Sequence, residues 1–100
     1  MELKYTPRTI KEIEDITKKP LQDVLSDFSM STIVIFVQKG MAIDEDKAYE
    51  KIDEYLKGGK DIFILYTEIM EKLQDAGFLP RQLDLKKVKK SMAQEAKTEI

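Results

Sequence analysis

The sequence predicts a mainly α-helical protein, a compact bundle of five or six short helices, with a short strand at residues 2–5 as its one non-helical option. Three observations predict it. Apolar residues recur three and four apart in one segment after another, which collects them on one face of a helix. Residues that start and stop helices bracket those segments. No second strand-like run exists for a lone strand to pair with, and an unpaired strand is not stable.

Leu3 and Tyr5 alternate with Glu2 and Lys4, which permits the strand. Thr6-Pro7-Arg8-Thr9 opens the first helix. Pro suits a first turn, where its missing N–H would have no partner anyway, and Thr9 and Glu12 stand at capping-box spacing. Ile10, Ile13 and Ile16 mark the buried face. Lys18 and Lys19 fall in the last turn, where cations suit the negative helix end, and Pro20 stops the helix by pushing Lys19 out of α geometry. A second helix begins at Pro20, with Leu21, Val24, Leu25 and Phe28 facing the core and Asp23 and Asp27 facing out. Ser29-Met30-Ser31 punctuates the chain, and either serine can cap the next helix.

Residues 32–39 carry conflicting signals. β-branched Ile33, Val34, Ile35 and Val37 favour strand, whereas Ser31 and Gly40 read as the N-cap and the C′ residue of a helix. The neighbours are helical and no partner strand exists, so the segment reads as a helix that is apolar on every side and therefore buried all round. Asp44 caps the fourth helix, and Glu45 and Asp46 place negative charge in its first turn. Ala48, Ile52, Tyr55 and Leu56 form its inner stripe. Lys47 with Glu50, and Asp53 with Lys57, read as outer ion pairs of small worth. Gly58-Gly59 ends it. Asp61 begins the longest helix, with Ile62, Leu65, Tyr66, Ile69, Met70 and Leu73 as its stripe and Phe63 and Ile64 widening the start. Gly77 reads as a C′ glycine, Phe78 folds back on the last turn, and Pro80 confirms the stop.

Residues 1–80 thus read as one helical domain, and residues 81–100 as a basic amphipathic C-terminal helix or tail. In the tail Leu85, Val88, Met92 and Ala96 keep helical spacing on a thin, Lys-rich stripe. An isolated helix this short is marginal in water, so the tail is expected to fray alone and to order on a partner.

Composition narrows the function classes. The hydrophobic fraction of 42% is enough for a core, and the charged fraction of 36% is well above the usual quarter or so. That much charge must coat the outside, so the helices carry narrow stripes. Net charge is −2 and unevenly spread. Residues 1–20 carry five basic and four acidic groups, residues 21–80 carry six and twelve, and residues 81–100 carry six and three. The acidic middle repels phosphate backbones and argues against broad nucleic-acid binding. Absence of Cys excludes disulfides and thiolate metal sites and fits a reducing cytoplasm. No apolar run follows Met1-Glu2-Leu3-Lys4-Tyr5, so no secretory signal is expected. The longest apolar run, residues 33–37, is far short of the roughly 20 residues that cross a bilayer.

The chain spells no catalytic motif. Gly58-Gly59-Lys60 fails the Walker pattern, which needs Gly where Glu54 stands and Ser or Thr where Asp61 stands. Asp44-Glu45-Asp46 fails the calcium-loop pattern, with Tyr49 at the glycine position and Tyr55 at the last ligand position. No serine sits in a nucleophile elbow, and no His exists to activate one. Glu50 and Glu54 share a helix face but are flanked by Lys47 and Lys51 and read as solvated. Residues 21–39 offer two short helices as a helix-turn-helix, but the second lacks Arg and Asn and has only Gln38 to read base edges. No cofactor, metal or enzyme activity is therefore expected. Of the five methionines, Met41 and Met92 are the better surface candidates, and core filling explains the rest.

The landmarks, read in order, resemble those of phage tail assembly chaperones, small proteins of long-tailed bacteriophages. They are Tyr5-Thr6-Pro7-Arg8-Thr9-Ile10-Lys11-Glu12-Ile13-Glu14; Lys19-Pro20-Leu21 followed by Val24-Leu25; Lys39-Gly40-Met41 followed by Asp44-Glu45-Asp46-Lys47-Ala48; Ile52-Asp53-Glu54-Tyr55 to Gly58-Gly59; and Leu73 to Ala76-Gly77-Phe78. The resemblance spans residues 3–79, and its weight lies in order and spacing. It implies a helical protein that binds the tape measure protein and keeps that long chain soluble while tail tube protein subunits polymerise round it. It also implies action in the host cytoplasm, absence from the finished virion, and a longer product made by frameshifting, for which Lys86-Lys87 and Lys89-Lys90 allow A-rich codons. It identifies no contact residues. Apolar residues outside the strongest stripes supply the candidates: Met41, Phe78, Leu79, Leu85, Val88 and Met92. Thin stripes also permit a homo-oligomer. The alternative is a small helical phage or bacterial regulator that binds DNA or another regulator.

Overall fold

The computed structural model describes residues 1–27 and 29–80. Phe28, the last member of the second stripe, and all expectations on residues 81–100 lie outside the described residues. The described chain forms five helices: α1 (Pro7–Thr17), α2 (Leu21–Ser26), α3 (Met30–Met41), α4 (Glu45–Lys57) and α5 (Ile62–Asp75). It contains no strand among those residues.

Residues 32–39 are helical, and burial is the reason. A β-branched or aromatic residue costs up to roughly 0.7 kcal/mol in a helix relative to Ala. Fully burying a Val, Ile or Phe side chain contributes about 1.5–3 kcal/mol. Ile33, Val34, Phe36 and Val37 are all buried, so packing outweighs propensity several-fold. α3 is the hub, with α1, α4 and α5 packed against it. Ile10 and Ile13 of α1, Ala48 and Ile52 of α4, and Leu65, Ile69 and Leu73 of α5 complete the core.

The N-terminal residues find a use other than pairing. Leu3 and Tyr5 are buried against the core, and the Lys4 N–H donates to the Gly40 carbonyl at 2.8 Å. The Tyr5 hydroxyl donates to the Phe36 carbonyl at 2.8 Å, and the two rings meet edge to face with centroids 6.0 Å apart. Burial pushes the Tyr5 phenol well above its ordinary pKa. Gly40 makes this approach feasible. A Cβ on it would stand 2.8 Å from the Tyr5 hydroxyl oxygen, 2.9 Å from Cζ and 3.0 Å from Leu3 Cδ2. Gly40 is therefore an interior residue of α3, not its C′ residue. The helix ends two residues later, where Ala42 takes φ 56°. The Ile43 N–H donates to Gln38 O at 3.1 Å and the Ala42 N–H to Lys39 O at 3.3 Å, the paired closure normally built on a left-handed glycine.

Local capping chemistry sets the other boundaries. Thr6, not the Thr9–Glu12 pair, caps α1, its hydroxyl accepting from the Thr9 N–H at 3.2 Å. Ser29 caps α3 by accepting from Thr32 N–H, Asp44 caps α4 through Lys47 N–H, and Asp61 caps α5 through Ile64 N–H. Pro20 is the N-cap of α2 and has no acceptor to offer. The Glu14 carboxylate of α1 accepts from Leu21 N–H at 2.8 Å in its place, which ties the corner between the two helices. Lys18 adopts φ 60° and lies just past α1, so neither Lys18 nor Lys19 belongs to the last helical turn. α5 closes as expected, with Gly77 at φ 91° and the Phe78 N–H donating to Leu73 O at 2.9 Å.

Two substitutions test this packing by thermal or urea denaturation. Gly40→Ala improves helix propensity by about 1 kcal/mol, yet it drives a methyl into a buried ring, so net stability falls by about 1–3 kcal/mol. A variant as stable as the parent, or more so, rules out the tight approach. Ala42→Gly removes a left-handed alanine at some cost in unfolded-state entropy, and stability rises by about 0.5–1 kcal/mol. An unchanged midpoint rejects strain at that position.

Candidate functional site

The helices bury only part of their apolar residues, and the remainder defines the candidate surface. Ile16, Met30, Tyr49, Leu56 and Phe63 are 37–53% exposed. Stripe spacing places three of these, Ile16, Leu56 and Phe63, on or beside the core face, and the packing corrects it. Ile16 follows Ile10 and Ile13 at nominal spacing, but at about 100° per residue it has rotated roughly 120° away from Ile10. Leu56 lies at the rim of the α4 stripe, and Phe63 lies outside the Leu65–Ile69–Leu73 line of α5. Stripe counting misses Tyr49 and Met30. Their signal in the sequence is a large apolar side chain off the core face of a charged or capped segment.

Met41, Phe78 and Leu79 are half-buried and pack against the core. Met41 closes the end of α3, while Phe78 and Leu79 follow the α5 terminus. Leu85, Val88 and Met92 lie outside the described residues.

α4 and α5 meet at a polar corner. The Lys60 ammonium stands 5.0 Å from the Tyr55 ring centroid and 3.8 Å from the Glu68 carboxylate. Lys60 is thus engaged within the fold, and Gly58-Gly59-Lys60 is a helix break in which Gly59 takes φ 89°. The Tyr55 hydroxyl is shut off from water and has no hydrogen-bond partner among the described residues. Its pKa is raised, first by burial and then by the nearby negative charge of Glu68.

The outer ion pairs are few and exposed. Lys57 reaches Asp53 at 2.8 Å and Lys51 reaches Glu54 at 3.7 Å, whereas Lys47 and Glu50 form no pair among the described residues. Solvent screening leaves such surface pairs little to contribute to stability. Between helices, Lys39 of α3 reaches Glu12 of α1 at 3.7 Å, and the Tyr66 hydroxyl of α5 donates to the Leu25 carbonyl of α2. No group of three or more carboxylates among the described residues is arranged to hold a metal ion. No described helix is long and apolar enough to cross a membrane. α3, the second helix of the helix-turn-helix alternative, has Ile33, Val34, Phe36 and Val37 enclosed in the core. The arrangement leaves isolated large apolar side chains exposed on a charged surface.

Tyr55→Phe tests the polar corner. Removing an unpartnered buried hydroxyl leaves stability unchanged or raises it by up to about 1–3 kcal/mol. A fall of more than about 1 kcal/mol in urea denaturation reveals a partner for the phenol. No protein-family model matches the chain, and comparison with curated proteins and with solved structures finds no relative.

Proposed function

We propose that this chain is a phage tail assembly chaperone that acts by binding, with no bond made or broken. The observation that carries this reading is the ordered series of landmarks from Tyr5 to Phe78. Most of them coincide with helix ends: Thr6-Pro7 at the start of α1, Pro20-Leu21 at the start of α2, Asp44 before α4, Gly58-Gly59 after it, and Gly77-Phe78 after α5. Their order and spacing are what resemble the family. Support of a second kind comes from the exposed apolar side chains Ile16, Met30, Tyr49, Leu56 and Phe63, which suit a protein that covers greasy segments of another chain.

The client is the tape measure protein, and tail tube protein subunits replace the chaperone as they polymerise. Apolar area withdrawn from water contributes about 25 cal/mol per Å², so a few large side chains are enough for weak, reversible cover. Charged residues between them keep the complex soluble. The chaperone works in the host cytoplasm and leaves before the virion is finished.

Co-expression with the tape measure protein of the same phage tests this. The client becomes soluble and co-purifies with the chaperone. Tyr49→Lys, Leu56→Lys and Phe63→Lys together weaken capture by about tenfold or more, equivalent to at least 1.4 kcal/mol. Aspartate in place of Leu85, Val88 and Met92 tests the tail candidates in the same assay and likewise weakens capture if they touch the client, whereas Met41, Phe78 and Leu79 pack against the core and are left unchanged. A client that stays insoluble beside the folded chain rejects the chaperone reading. Tight, sequence-dependent gel shifts of DNA at low salt favour the regulator.

A further inference from the structure

We propose that the basic segment 81–100 of this chain docks on the outer face of α4, along the strip made by Tyr49 and Leu56. The strip is defined by what α4 buries. Ala48 and Ile52 fix its inner face. At about 100° per residue, Leu56 stands roughly 40° and Tyr49 roughly 60° to one side of Ile52, and both are exposed. The same flank is acidic. Glu45 lies beside the strip, and Asp53, Asp46 and Glu50 come next at roughly 100–160°. Lys47 and Lys51 lie on the opposite flank. Asp53 is held by Lys57, whereas Glu45, Asp46 and Glu50 form no ion pair among the described residues.

An occupant of this face needs a narrow apolar stripe with cations along one edge. Residues 81–100 supply that pattern. Read at helical spacing, Leu85, Val88, Met92 and Ala96 share one stripe, and Lys86, Lys89, Lys90 and Lys97 all fall on one flank of it. Asp84 and Glu95 fall on the other. The two charged flanks oppose each other when the segment runs antiparallel to α4. Charge drives the match at longer range as well, because residues 81–100 carry six basic and three acidic groups and residues 21–80 carry six and twelve. In length the segment matches α4, twenty residues at helical rise spanning about 30 Å against about 20 Å for thirteen, and in the antiparallel run residues 81–84 bridge from Pro80, beyond the C-terminus of α5, to the Leu56 end of α4. The tail shields the α4 strip in the free protein, and any partner that uses the strip must displace it. The inference stands on charge and spacing and does not rest on the chaperone reading.

The chain has no cysteine, so Ser91→Cys accepts a single nitroxide label in the full-length protein. Paramagnetic broadening of amide signals is then read with isotope-labelled, spin-labelled chain diluted into an excess of unlabelled chain. The signals around Tyr49 and Leu56 broaden. Most of their intensity returns with Leu56→Asp, and separately with Lys86→Glu, Lys89→Glu and Lys90→Glu together; α5 signals report that each variant is folded. Raising the salt to 1 M, where the screening length falls to about 3 Å, also restores intensity. Sharp α4 signals in the parent overturn the proposal, as does broadening centred elsewhere or broadening that survives both sets of substitutions. Broadening seen only when spin-labelled chain is mixed with separate isotope-labelled chain assigns the face to a second copy and overturns it too.

Discussion

The close approach of Tyr5 to Gly40 is the contact on which the arrangement of this small body depends. The buried residues of α3 span more than half of its circumference, and a helix with so wide a buried face must be covered by several neighbours rather than leaned upon by one. α1, α4 and α5 cover much of it. Leu3 and Tyr5 cover a further part, and they reach it because position 40 has no side chain. The phenol then finds an acceptor at Phe36, four residues back along the same helix. An extended segment with no strand to pair with is thereby held by one backbone hydrogen bond, one side-chain hydrogen bond and two buried side chains.

That enclosure divides the helices by role. α3 spends most of its apolar residues on the core and exposes Met30 only at its first turn, so the remaining exposed apolar side chains stand on the helices around it. α4 packs on α3 and keeps a large outer surface, where Tyr49 and Leu56 stand among carboxylates. The exposed ion pairs on that surface add little stability, and the core supplies most of it.

The helix ends are closed by short-range hydrogen bonds. Hydroxyls or carboxylates at Thr6, Ser29, Asp44 and Asp61 each accept a first-turn N–H. The remaining helix, α2, borrows Glu14 from its neighbour because proline has no acceptor. This loan fixes the turn between α1 and α2 through a partner seven residues away. The Tyr66 hydroxyl reaching Leu25 closes the far side of α2 against α5.

Neighbouring residues alone specify the helical class, the caps at Asp44 and Asp61, the break at Gly58-Gly59 and the closure at Gly77, because these depend on hydrogen bonds made within a few residues. The apolar run within 32–39 likewise marks its own helix as the most enclosed one, but not as buried all round, since Ile35, Gln38 and Lys39 stay partly exposed. Packing, by contrast, is what puts Gly40 inside α3, since a glycine that admits a distant tyrosine looks locally the same as one that ends a helix. Spacing sets Ile16, Leu56 and Phe63 near a core stripe, but how far a stripe extends depends on which neighbours pack beside it. The half-burial of Met41, Phe78 and Leu79 likewise arises from the packed core they adjoin. Local bonding is written in neighbouring residues; coverage of a side chain is a property of the assembled whole.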